Sequence, residues 1–244
     1  MTSIIAFFAM LPASSKALSL GREGLVAKGS YARFEYVEPF VMSEKGYIAG
    51  AGLSWASSLA KYFLFNLNGS YYAGKIRYDG STWSGEPYQT DNMDWIGNAD
   101  VGFTLTSNWL ALSFGGGRRV WFDAIGGSYR RFTTYQYIPW TLHLFTSENT
   151  SLKFSYFQFL NGHNESLLAD VNTEDGNVQL KQKKGWGGGF EWEHLAAFGK
   201  SFGYAVGGEY WSIDNSEVEP YQDGFVIEPF NRTLFIHLDL NYKF

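Results

Sequence analysis

A chain of 244 residues with 19 Lys+Arg against 24 Asp+Glu suits a single all-β barrel, and its net charge of -5 offers no basic stripe for a nucleic-acid backbone. Aromatics at 19%, with 28 Gly and only 6 Pro, favour many strands joined by tight turns over helices. With 0 Cys, disulfide frameworks, thiolate zinc sites and cysteine nucleophiles drop out together.

The first apolar run, Ile4 to Pro12, is about half of the roughly 20 residues that a membrane-spanning helix needs. It reads as a signal-peptide core. Ser15-Lys16-Ala17 puts small residues at the two positions a signal peptidase inspects, so the expected division is a signal peptide over 1-17 and a barrel domain over 18-244. The leader Met1-Thr2-Ser3 lacks the usual positive charge, which leaves open a start upstream of Met1; a buried N-terminal strand is the alternative.

From Tyr31 onward, apolar and polar residues alternate, the mark of strands with two unlike faces. The last segment is the clearest: Leu234, Ile236, Leu238, Leu240, Tyr242 and Phe244 share one face, and Thr233, His237, Asp239, Asn241 and Lys243 the other. About ten strands are expected, near 31-40, 47-56, 62-78, 94-105, 109-122, 131-145, 151-160, 182-195, 202-213 and 230-244. After a brief first connection at 42-46, short links alternate with long polar ones at 79-93, 123-130, 161-181 and 214-228, as in barrels with tight periplasmic turns and long exterior loops. The fold class is therefore an all-β, closed antiparallel transmembrane β-barrel in the bacterial outer membrane.

The polar face carries little charge and much glycine, at Gly115, Gly117, Gly187, Gly189, Gly203 and Gly207, which suits a crowded lumen better than an open surface. The apolar face then meets lipid, and Trp109, Tyr62, Tyr78, Trp95, Trp121 and Trp211, near strand ends, are expected in aromatic girdles. Arg33, Arg119 and Lys153 are expected to pair in the lumen with Glu35, Asp100, Glu191, Glu193, Glu209 and Asp239, with His143 and His237 as hydrogen-bonding partners. Together with Tyr72 and Tyr137 they should largely fill it and disfavour a wide pore.

The runs Gly115-Gly116-Gly117 and Gly187-Gly188-Gly189 lie within strand patterns rather than before a helix, so they read as packing sites and not phosphate cradles. The four histidines show no zinc spacing, and no Gly-x-Ser-x-Gly elbow occurs, so neither metal nor cofactor is expected. The terminal Asn241-Tyr242-Lys243-Phe244 resembles the assembly signal of outer-membrane proteins, with Tyr242 and Phe244 as its aromatic members; it implies the barrel assembly machinery as a partner beside outer-membrane lipid.

The ten-strand layout, the long second and fourth loops and the segment Tyr135-Gln136-Tyr137-Ile138-Pro139-Trp140 resemble the omptin family of outer-membrane proteases. That resemblance implies a water-activating set built from two aspartates in the second loop and an Asp-x-His in the fourth. Here the candidates are Asp91 and Asp94, with two residues between them, and His163, which has no aspartate two positions before it but has Asp170 and Asp175 across the loop. A one-residue shift on a strand turns a side chain to the other face, so this set is not expected to act. The favoured reading is a largely plugged, porin-like or structural and adhesive barrel, with an omptin-like aspartate/histidine endopeptidase as the alternative. Trp83, Tyr88, Tyr221 and Phe225 are loop aromatics suited to an exterior ligand.

Overall fold

The computed structural model describes residues 23-81, 85-124, 129-171, 176-197, 201-222 and 224-244. The expected signal peptide lies outside them. Ten antiparallel strands close into a barrel: β1 (Gly24–Glu38), β2 (Met42–Ala60), β3 (Phe63–Ser81), β4 (Pro87–Thr106), β5 (Leu110–Ala124), β6 (Arg130–Phe145), β7 (Thr150–Leu167), β9 (Gly185–His194), β10 (Phe202–Ile213) and β13 (Asn231–Lys243). β8 (Val178–Gln182) continues the line of β9 along the exterior half of β7, and β11 (Glu219–Tyr221) pairs with β12 (Gly224–Val226) as a small hairpin in the last connection.

The seam is an unbroken ladder from Val26↔Lys243 to Val37↔Arg232, so no edge is left for lipid to meet. Short turns gather at the end that holds both described chain ends. One is fixed by Ser107, whose backbone N–H donates to the Leu110 carbonyl at 2.7 Å. Several strands outrun the lengths expected from alternation: β4 begins at Pro87 and β7 ends at Leu167, so Asp91 and His163 lie in strands and not in loops, and Asp94 lies well inside its strand rather than at its start.

Exposed large apolar side chains, among them Leu53, Leu67, Val101, Val206, Leu238 and Leu240, form an outward band. Toward the periplasmic turns it is bordered by rings such as Phe63–Phe103 (5.2 Å) and Phe202–Tyr242 (4.8 Å). At the other border Tyr31 stacks on Tyr47 at 5.6 Å, and Trp95 lies between Tyr71 and Phe122 at 5.8 and 5.7 Å. Only helices and closed barrels satisfy their backbones in hydrocarbon, and this belt has the composition that lipid selects. Trp95, Tyr62 and Trp109 belong to the outer surface; Tyr78, Trp121 and Trp211, expected in the girdles, are instead only 7%, 4% and 1% exposed inside the lumen.

Above the exterior girdle, the two faces exchange character. Outward positions become Arg33, Glu35, Lys45, Lys75 and Arg77, while Phe34, Tyr36, Ile48, Ile76, Ile96 and Trp121 pack inside as a core. A second aromatic cluster, Tyr135, Tyr137, Phe157, Phe159, Trp211 and Ile213, fills the opposite wall. Two glycines make room for these rings: a Cβ at Gly117 would meet the Tyr137 ring at 2.4 Å, and one at Gly50 the Tyr72 ring at 2.3 Å. A third cluster, Leu168, Val178 and Leu180 with Tyr129, Tyr221 and Val226, brings three exterior connections together as a roof.

Candidate functional site

Both ends of the lumen are polar, and the two aromatic clusters stand on its walls between them. The periplasmic end is a chamber of about 420 Å³ bounded by turn residues such as Glu148, Asn149 and Leu195. Register sends Lys28, Lys153, Glu191, Glu193 and Asp239 into it from four strands. Lys153 Nζ lies 2.6 Å from Glu191 Oε1 and 3.0 Å from Glu193 Oε2, and Lys28 Nζ lies 4.0 Å from Glu191 and 3.9 Å from Asp239. His237 Nδ1 stands 3.2 Å from Asp239 Oδ1, and Ser113 Oγ is 3.1 Å from His143 Nε2. Deeper in the chamber Asn68 donates to Asp100 at 2.7 Å, and Arg119 reaches Glu209 at 3.3 Å beneath Trp211.

The exterior end holds a tighter cluster around Arg131, whose side chain is 5% exposed. Its Nη1 lies 3.1 Å from Glu38 Oε1 and 3.8 Å from Glu228 Oε1, and its Nη2 lies 3.1 Å from Asp123 Oδ2 and 3.9 Å from Glu44 Oε1. The guanidinium sits over Tyr36 and Trp121, with 5.5 and 5.3 Å to the ring centroids. The Tyr36 hydroxyl donates to Glu38 at 2.8 Å and reaches Glu228 at 3.3 Å. Asp94 accepts from the Trp121 indole N–H and the Ala124 backbone N–H, both at 3.4 Å, and Asn92 Nδ2 donates to Asp123 Oδ1 at 3.3 Å. Glu228, on the connection before β13, has its carboxyl pushed up to about 8: burial dominates and Glu38 adds to it, while Arg131 opposes it.

Of the residues expected in the lumen, Asp100, Arg119, Lys153, Glu191, Glu193, Glu209, His237 and Asp239 face it. Arg33 and Glu35 do not. They share the outward parity of Tyr31, the Arg33 side chain is 55% exposed, and Glu35 is met by Arg33 at 3.5 Å and Lys45 at 3.4 Å on the outer wall. Sequence reasoning missed Glu38, Glu44, Asp123 and Arg131, which lie on the exterior strand ends where the lumen side is mostly apolar, Lys28, which precedes the expected start of the first strand, and Glu228, which lies on a connection.

The residues considered for catalysis are not brought together. Asp91 points outward to Lys75 Nζ at 2.8 Å, His163 takes the parity opposite to buried Gly162 and Asn164, and Asp94 is 2% exposed inside. Asp170 is engaged by Arg130 at 2.7 and 2.8 Å, which holds its carboxyl below the usual range; Asp175 and Trp83 lie outside the described residues. At the seam, the Phe244 backbone N–H donates to the Leu25 carbonyl at 3.0 Å and its ring meets Tyr242 at 4.8 Å.

Closed ladder, lipid-type belt and polar, filled lumen define a transmembrane β-barrel of the bacterial outer-membrane type. No protein-family profile matches the chain, and no curated protein matches it in sequence. Among solved structures it is similar to the outer membrane protease OmpT from Escherichia coli, at 13% identity and a TM-score of 0.50, over 95% of this chain and 100% of that one. An outer membrane channel from Pseudomonas putida F1 aligns at 8% identity and a TM-score of 0.44 (96% and 100% of the chains). The attachment invasion locus protein Ail of Yersinia pestis aligns at 10% and 0.36 (91% and 99%). At such identity, the likeness to OmpT is one of fold.

Proposed function

We propose that the chain is an outer-membrane barrel closed to diffusion, whose working surface is its exterior end. The observation that carries this reading is the aromatic layer across the lumen: Tyr72 against Phe235 at 4.9 Å on one side, and Trp211 against Phe157 and Tyr137 at 4.9 and 5.1 Å on the other. A diffusion pore needs a continuous wet path, and these two ring clusters, with the Arg119–Glu209 pair beside them, narrow the lumen at that level. Outer-membrane lipid is the partner of the apolar belt, and Tyr242 and Phe244 are taken as the signal through which the barrel assembly machinery receives the last strand. An exterior ligand would meet the loops, where Phe40 is fully exposed and Phe225 is 79% exposed.

The test is conductance of the refolded chain in planar bilayers. No steady single-channel current is expected from the unmodified protein, and a Trp211→Ala, Tyr137→Ala double variant should begin to conduct. Large steady currents from the parent protein would defeat the reading. Peptide-cleavage assays are expected to give no turnover; efficient cleavage would restore a protease.

A further inference from the structure

Five carboxyl groups, from Glu38, Glu44, Asp94, Asp123 and Glu228, crowd the exterior end of the lumen, and Arg131 is the one basic side chain paired with them among the described residues. Burying uncompensated charge is costly, so the excess must be met by protons or by another cation. Three of the carboxylates converge: Glu44, Asp94 and Asp123 each offer an oxygen, and these oxygens lie within 4.8 Å of one another. Glu44 is 0% exposed, and neither of its oxygens receives a hydrogen bond, while Asp123 Oδ2 is met by Arg131 Nη2 at 3.1 Å. A buried carboxylate aimed at two others with no donor is arranged for a ligand that supplies positive charge.

From this geometry we infer that Glu44, Asp94 and Asp123 form a binding site for a hard divalent cation, calcium in the first instance. Oxygen-only ligands exclude the softer transition metals as preferred occupants. Two ligands on opposite sides of an ion stand at most two bond lengths apart, which is about 4.8 Å for calcium at about 2.4 Å per bond and about 4.2 Å for magnesium. The three oxygens, within 4.8 Å of one another, fall inside calcium's limit, and magnesium, which keeps several of its waters, suits a dry carboxylate pocket less well. β2 supplies Glu44, β4 supplies Asp94 and β5 supplies Asp123, so the ion would tie β2 to strands that are not its neighbours, just beneath the loop roof.

Trp121 gives the test a local reporter, because its indole N–H bonds Asp94 at 3.4 Å. The full chain, refolded in detergent and stripped with chelator, is titrated with terbium, a luminescent calcium surrogate excited through tryptophan, and then with calcium. Sensitised emission that calcium displaces is expected, with affinity lowered by at least about tenfold in Glu44→Gln and Asp123→Asn. Emission unchanged in Glu44→Gln would assign the ion elsewhere and overturn the site. Should those variants fail the heat-shift test of folding, Asp94→Asn takes their place. Equilibrium dialysis of the parent protein against radioactive calcium decides the matter without any variant: stoichiometric uptake supports the site, and none, with the carboxyls sharing protons instead, rejects it.

Discussion

At the residue scale, Phe40 and Arg131 show opposite uses of strain. Phe40 occupies the third position of the tight turn in which the Val41 N–H donates to the Glu38 carbonyl at 3.0 Å, and it does so at φ 68° with its ring wholly in solvent. A bulky residue there costs about 1 kcal/mol or more and no packing offsets it, whereas Asn tolerates the left-handed region. Phe40→Asn should therefore stabilise the barrel by about 0.5–1 kcal/mol in a denaturant or thermal titration; a loss of stability would mean that the ring has a partner in the folded chain. Arg131 is held by four carboxyl groups and two ring faces. Removing it leaves those acids buried together, so Arg131→Ala should destabilise by about 3–5 kcal/mol. A change below about 1 kcal/mol, the size of an exposed pair, would show that the cluster is hydrated.

At the element scale, the strands carry two phases of one alternation, and this sets what could be read from the sequence. Within the lipid band the outward face is apolar, and Leu234, Ile236, Leu238 and Leu240 on β13 are legible as such. Beyond the girdle, water bathes the outer wall and the lumen becomes an ordinary core, so β3 places Lys75 and Arg77 outside and Ile76 inside. Applying a single phase to β1 put Arg33 and Glu35 in the lumen, one position out of register with Phe34 and Tyr36. The same step cut β3, β4 and β7 short, leaving Asp91 and His163 in supposed loops and Asp94 at a supposed strand end. The Glu44, Asp94 and Asp123 cluster had no local signature at all, since its members come from three strands and meet only through the register. The phase model makes a prediction. Leu238→Arg, in the lipid band, should cost about 2–4 kcal/mol, while Val37→Arg, outward on the water-bathed end of β1, should cost about 0–1 kcal/mol. Equal costs would mean that the girdles are misplaced.

At the scale of the whole molecule, the exterior end is closed by groups from distant parts of the chain, and Glu228 is a titratable group that reports on it. It stands on the last connection, against Tyr36 and Glu38 of β1 and Arg131 of β6, so its environment exists only when the wall and the roof are assembled. Its folded carboxyl titrates at about 8, above the roughly 4.3 of a free glutamate, so the folded state keeps a proton that the unfolded chain releases. The sign follows: this contribution to stability is complete below the unfolded value and is lost as pH rises toward 8. With chelator present to keep divalent cations out of the comparison, heat-modifiability on gels should move to lower temperature between about pH 5 and about pH 8 and then level off. Glu228→Gln, which keeps a hydrogen-bonding side chain of the same shape without the ionisation, should flatten that dependence and give the more stable barrel at the alkaline end. Distant titrating groups act on parent and variant alike, so the difference between the two curves reports Glu228 together with the groups it touches, Tyr36, Glu38 and Arg131. Parallel curves would show that this carboxyl gives up its proton without loosening the barrel, and the closure of the exterior end would then rest on the apolar roof alone.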